Sequence, residues 1–312
     1  MKKVKVGVVG VGYLGQHHAR VLSILEHAEL VGVYDIDEQR ALKIANRYRT
    51  KAFPSLESLL DEVDAMVCAV PTEHHFETGL KIILNSKHLF MEKPVARTYK
   101  EAQELVKKAE EKGIKFQVGH IERFNPATLL ASKHINEPKY IESQRISVFN
   151  PRGTDVDVVL DLMIHDIDLV LKFMGKWPVD IKAAGIEVLT DKIDMANARL
   201  EFDEGEVVNL TVSRVSMVKK RKMRIFQPYA YIGIDFMRQD INIYRKEPTG
   251  EILPYFPPVH HQEPLLLELS SFIDSILLNR EPECTGKEGA LAVKLAEEIT
   301  KSIKKRLKLH RG

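Results

Sequence analysis

The chain has 312 residues, 44% hydrophobic and 29% charged, which is enough for two domains with ordinary cores and excludes a disordered or fibrous composition. Lys and Arg total 46 against 44 Asp and Glu, for a net charge of +2, so the overall balance gives no argument for nucleic acid or an anionic membrane as partner. Cys68 and Cys284 lie far apart in no paired spacing, and no run approaches the ~18 apolar residues of a membrane span; a reducing cytoplasm without disulfides is expected.

The first elements alternate. Residues 4–9 read as a buried strand, too short and too broken by Lys5, Gly7 and Gly10 for a secretory signal. A helix follows over about 13–27, then a strand over 30–35 and a helix over 37–48. Further strands are predicted at 64–70, 88–92 and 115–119, with helices at about 75–85 and 98–112. Strands alternating with helices imply βαβ units and a parallel sheet.

The rhythm changes after residue 120. Strands at 139–148, 180–188, 194–202, 206–216, 222–226, 229–235 and 240–245 are interrupted only by a helix at about 159–174. That pattern predicts a mostly antiparallel sheet with helices on one side. Helices over roughly 262–279 and 286–307 close the chain. The expected fold is α/β, a Rossmann domain over 1–121 followed by an α+β domain with an open sheet over 122–285. The helix of 286–312 is expected to pack back on the first domain.

Gly10-Val11-Gly12-Tyr13-Leu14-Gly15 is a G-x-G-x-x-G between a strand and a helix, the context a dinucleotide fingerprint requires. The first glycine permits the turn, the second lets backbone approach the pyrophosphate, and the third brings helix and strand together. Asp35 ends the second strand 20 residues after Gly15, where a carboxylate takes the adenosine ribose hydroxyls and repels a 2′-phosphate; NAD is therefore expected.

Met91-Glu92-Lys93-Pro94 closes the fifth strand, so Lys93 is expected at the ligand-binding end of the sheet, beside a substrate hydroxyl. Asp161, His165 and Asp168 stand at i, i+4 and i+7 of the predicted helix and so share a face. An imidazole oriented by a carboxylate suits proton abstraction from an alcohol. A capping aspartate or a histidine satisfied within an interface are the plainer readings. No third ligand stands near the Asp-His pair, and no metal is expected.

The order of GVGYLG, Asp35, Pro71-Thr72-x-x-His75, Glu92-Lys93-Pro94 and D-x-x-x-H-x-x-D resembles the Gfo/Idh/MocA family of sugar and cyclitol dehydrogenases across nearly the whole chain. Met163 and Thr72 depart from the family's usual Gly and Asn. The resemblance implies that Lys93 polarises the substrate hydroxyl, that His165 is the general acid/base, that Asp161 lines the same pocket, and that Pro71, Thr72 and His75 adjoin the cofactor. It also implies a homodimer or homotetramer built through the second sheet. Gly119-His120-Ile121-Glu122-Arg123-Phe124-Asn125-Pro126, taken with 161–168, is similar to members acting on a UDP-sugar, the 3-hydroxyl of UDP-N-acetylglucosamine being the implied position.

The expected cofactor set is thus Gly10, Gly12, Tyr13, Leu14, Gly15, Asp35, Pro71, Thr72, His75, Glu92 and Lys93. The substrate set is Lys93, Arg123, Asn125, Arg152, Asp161 and His165, with Arg123 offering a fork to a phosphate or forming an ion pair instead. A free sugar or inositol is the alternative substrate, and a non-catalytic NAD-binding regulator the alternative of another class. The basic run Lys219-Lys220-Arg221-Lys222-Met223-Arg224 reads as a solvated hairpin in preference to a phosphate or nucleic-acid site.

Overall fold

The computed structural model describes residues 3–150 and 156–311, with side chains up to residue 307; Arg152 of the expected substrate set lies outside them. The chain divides into two compact units, 1–121 with 263–293 and 122–262 with 294–312. The first unit contains β1 (Val4–Val9), β2 (Ala28–Tyr34), β3 (Lys51–Ala52), β4 (Ala65–Cys68), β5 (His88–Glu92) and β6 (Phe116–Gly119), all parallel, in the order β3-β2-β1-β4-β5-β6. Helices α1 (Gly15–Leu22), α2 (Glu38–Tyr48), α3 (Leu56–Leu60), α4 (His75–Leu84) and α5 (Tyr99–Lys112) connect them. Continuous apolar strands follow from burial on both faces: Val6, Val8, Val67, Leu89 and Phe90 have no solvent exposure. The order reverses between β1 and β4, which places the loops after them at the crevice where such sheets bind ligands. Burial pushes the Cys68 thiol up to about 12, an inert thiol inside the sheet.

The second unit contains α6 (Pro126–Ala131), β7 (Tyr140–Ile146), α7 (Ile164–Met174), β8 (Asp180–Ile186), β9 (Met195–Glu201), β10 (Val207–Ser213), β11 (Lys220–Gln227), β12 (Ala230–Asp235), β13 (Asp240–Lys246) and β14 (Ile252–Tyr255). The eight strands run β14-β13-β12-β11-β7-β10-β9-β8, antiparallel except for β7 beside β10. Inward residues such as Ile141, Leu210 and Ile225 are buried and alternate with more exposed ones, the period-2 signal of a sheet with one packed face. The basic run is no hairpin: Lys220–Gln227 is a strand paired on both sides, by β7 and β12.

Two helices close the chain, α8 (Pro264–Leu277) and α9 (Gly286–Arg311). Leu269, Phe272 and Ile273 of α8 join Val4, Val6, Val8, Leu22 and Phe90 in one core, with the Phe90 and Phe272 rings 5.8 Å apart. Residues 263–285 therefore belong with the first unit, not with the second as the sequence reading had it. The apolar stripe of α8 needed a surface to cover, and sequence order does not say which. The first turns of α9 belong to the first unit as well, and the helix from Lys294 onward to the second, where the Ser302 hydroxyl donates to the Ile181 carbonyl of β8 at 3.3 Å. No described helix is long and apolar enough to cross a membrane.

Candidate active site

In the first unit the glycine loop has the geometry its spacing predicts. Gly10 adopts φ +80°, and a Cβ there would meet the Val70 backbone nitrogen at 2.8 Å, so the turn after β1 is pressed against the loop after β4. A Cβ on Gly15 would lie 1.8 Å from the Gly10 carbonyl oxygen. At Gly12 nothing stands within 4 Å, leaving open space before the N-terminus of α1, with Tyr13 and Leu14 exposed beside it. That opening at a helix N-terminus, the positive end of the helix dipole, fits a dinucleotide pyrophosphate.

Asp35 is buried. The Val11 N–H donates to its Oδ2 at 2.8 Å and the Asp37 N–H to its Oδ1 at 3.0 Å, while Arg40 Nη1 donates to both oxygens at 3.1 and 3.3 Å. The carboxylate thus braces the glycine loop from just after β2. Arg40, partly exposed, offsets part of its charge.

The loops after β4 and β5 are tied together by His75, whose Nδ1 lies 2.7 Å from the Pro94 carbonyl oxygen and whose Nε2 lies 2.9 Å from that of Val70. Burial pushes this imidazole below its ordinary pKa, against the pull of the two carbonyls and of Glu92. His75 was expected to adjoin the cofactor. It is 1% exposed with both ring nitrogens on backbone, so it shapes the loops bearing Thr72 and Lys93 from behind.

Glu92 is held similarly. His18 Nε2 lies 2.7 Å from its Oε1, and the Lys93 N–H donates to its Oε2 at 3.2 Å. Burial raises the carboxyl, but His18 and the neighbouring Lys93 charge outweigh it and leave Glu92 below the usual carboxylate range. His18, on α1, is 1% exposed. Lys93 is half-buried at the end of β5, with Thr72 half-buried and Pro71 exposed in the loop after β4.

In the second unit the helix expected over 159–174 begins as a π-turn, Val159–Met163, and continues as α7. The turn holds Asp161 two residues before its end and His165 two residues after it; both are half-buried. Such turns widen a helix and recur at functional sites. Asp168, expected on the same face, is fully buried and receives Arg123 bidentately, Nε at 2.7 Å and Nη2 at 2.6 Å.

Two expected substrate contacts are accordingly revised. Arg123, 4% exposed, forms the ion-pair alternative. Asn125 caps α6, its Oδ1 accepting from the Ala127 N–H at 3.1 Å and its Nδ2 donating to the Phe236 carbonyl at 3.0 Å and to Glu122 Oε2 at 3.2 Å. Beside them lies a cluster that the sequence reading missed. Arg145 of β7, 2% exposed, donates through Nε and Nη2 to Asp166 at 3.0 and 2.9 Å and through Nη1 to Glu122 at 2.8 Å. The signal was available: Arg145 occupies the inward parity of Ile141 and Ser143. An arginine there must be paired. Asp166, next to His165, is thereby fixed to the sheet.

Comparison with known proteins agrees with this architecture. Residues 4–120 match the oxidoreductase family with an NAD-binding Rossmann fold, and residues 128–227 match the Gfo/Idh/MocA C-terminal domain. The chain belongs to the Gfo/Idh/MocA family, and it is an NAD-binding oxidoreductase. It is 35% identical to the UDP-N-acetylglucosamine 3-dehydrogenase of Acidithiobacillus ferrooxidans over 97% of this chain and 98% of that one, and the crystal structure of that enzyme superposes with a TM-score of 0.92. It is 25% identical to the inositol 2-dehydrogenase of Rhizobium meliloti over 96% of this chain and 97% of that protein. A levoglucosan dehydrogenase in complex with NADH and L-sorbose, 16% identical and covering 98% of each chain, shares the fold with a TM-score of 0.89.

Proposed function

We propose that this dehydrogenase oxidises a secondary hydroxyl of a nucleotide sugar, the 3-hydroxyl of UDP-N-acetylglucosamine. The observation that carries the reading is the 35% identity to an enzyme of that activity, sustained over nearly the full length of both chains. Free sugars and inositols are the second reading, favoured by the similarity to an inositol 2-dehydrogenase.

Bound at Gly10, Gly12, Gly15 and Asp35, NAD supplies the hydride acceptor. Lys93 holds the substrate hydroxyl and stabilises the oxygen as it becomes anionic. The brace of Glu92 on the Lys93 N–H and of His75 on the Pro94 carbonyl supports that role by holding the loop in place. His165 takes the hydroxyl proton, and Asp161 lines the pocket with it. Their shared half-burial, Asp161 on the π-turn and His165 on the first turn of α7 after it, supports this pairing.

The two buried, unbridged cysteines fit a cytoplasmic protein. A homo-oligomer is proposed through the outward sheet face, where Tyr140, Phe226, Tyr231 and Tyr244 form a continuous row with centroids 5.1–6.1 Å apart. Absorbance at the NADH band, with NAD and a panel of UDP-sugars, free sugars and inositols, tests the activity. Signal with UDP-N-acetylglucosamine is expected, and signal only with free sugars or inositols selects the second reading.

A further inference from the structure

The pleat of β11 sorts its basic run onto two faces. Lys220, Lys222 and Arg224 share the outer parity, where Lys220 meets Gln144, Lys222 lies 3.1 Å from Asp235 and Arg224 lies 2.7 Å from Glu142. Arg221 has the other parity, that of the buried Met223 and Ile225. Its register partner on β7 is Arg145, and directly opposed residues of an antiparallel pair share a face.

Two arginines thus stand side by side on the inner face. Arg145 is buried and already committed to Asp166 and Glu122. Arg221 is exposed, and among the described residues no carboxylate pairs with it. Like charges opposed across strands repel. Partial burial and the Arg145 charge push the Arg221 guanidinium below its usual range, with Glu122, Asp166 and Asp161 pulling the other way. Arg145 holds Asp166, the residue after His165, so its cross-strand neighbour Arg221 is a solvent-reachable cation in the surroundings of the proposed acid/base.

We propose that Arg221 is the anion-binding residue of the second unit, taking a phosphate of the substrate's diphosphate with its planar fork. The place of the anion follows from the strand register; its identity as a nucleotide diphosphate rests on the nucleotide-sugar reading above. Arg221 then performs the role that sequence reasoning gave to Arg123, whose fork is closed on Asp168. An arginine suits the task because two parallel N–H donors match two phosphate oxygens.

Calorimetric titration of UDP and of inorganic pyrophosphate, with NAD present, tests this in the wild type and in Arg221→Gln, Arg221→Lys and Arg224→Gln. Arg221→Gln should weaken UDP by roughly 10–100-fold, the scale of a lost charge-assisted pair, and Arg221→Lys by less. Arg224→Gln and the affinity for NAD should not change. In turnover the loss should fall on KM for the nucleotide sugar, with kcat within about threefold. Equal UDP affinity in the wild type and Arg221→Gln overturns the proposal, as does a wild type that binds neither ligand. Pyrophosphate binding lost in Arg221→Gln, without UDP binding by the wild type, upholds the anion site and instead sinks the nucleotide-sugar reading.

Discussion

The glycine loop of the first unit and the π-turn helix of the second carry the two most recognisable motifs of the chain, and they work in opposite ways. At residues 10–15 the function is the backbone's: a positive φ at Gly10, close packing at Gly15 and an opening at Gly12. Each depends on a missing side chain, so spacing alone reports it. At residues 161–168 the function belongs to charged side chains, and most of those are already engaged. Asp166 and Asp168 hold Arg145 and Arg123 in the interior, while Asp161 and His165 are half-buried. Motif residues read as chemistry therefore divide into those that act and those that hold the actors, and only the partners reveal the division.

The sharpest way to break this comparison is to remove a proposed actor. Lys93→Met should lower kcat/KM by roughly 10³, the upper scale for one electrostatic stabiliser, while the dissociation constant for NAD, measured by nucleotide fluorescence, stays within severalfold. A holder should behave differently. Arg145→Met strands Asp166 and Glu122 in the interior and should cost about 3–5 kcal/mol in denaturant unfolding of the second unit. Arg123→Met should show a loss of the same kind through Asp168, without a selective rise in KM.

On the side of the backbone, Gly12→Ala should leave the unfolding midpoint unchanged, since its Cβ meets nothing, yet weaken NAD about tenfold by filling the opening. Smaller still, Thr98→Ala removes a capping box at the start of α5 and should cost about 1 kcal/mol, read by urea titration. The pH dependence of the last effect lies entirely in acid. Burial opposes ionisation of Asp194, but the Thr190 hydroxyl and the N–H groups of Val188, Leu189 and Thr190 outweigh it and hold the group at about 2. A depressed carboxyl stabilises fully above its ordinary 3.8 and loses that contribution as pH falls through about 2. Acid unfolding should show this limb in the wild type and lack it in Asp194→Asn.

Periodicity made the larger elements legible, because burial on two faces, one face or one stripe leaves different repeats. It passed over β3, α3, α6 and β14, which have two to six residues and too few repeats to register. The assignment of α8 was illegible for another reason: an apolar stripe says that a helix is covered, not by what. Among site residues, Asp35 was legible as an acid at a strand end, but its support of the Val11 N–H was not. The run at 219–224 misled because charge density resembled a solvated hairpin. Alternation with the buried Met223 and Ile225 was the quieter signal, and it would have isolated Arg221.

The central claim is that the chain removes hydride from the 3-position of UDP-N-acetylglucosamine. Incubation with NAD and substrate carrying deuterium at that carbon alone, followed by mass spectrometry of the reduced cofactor, tests it most directly. Deuterated NADH, lost together with turnover in Lys93→Met, is the predicted result. NADH formed without the label would place the oxidation at another carbon and contradict the account.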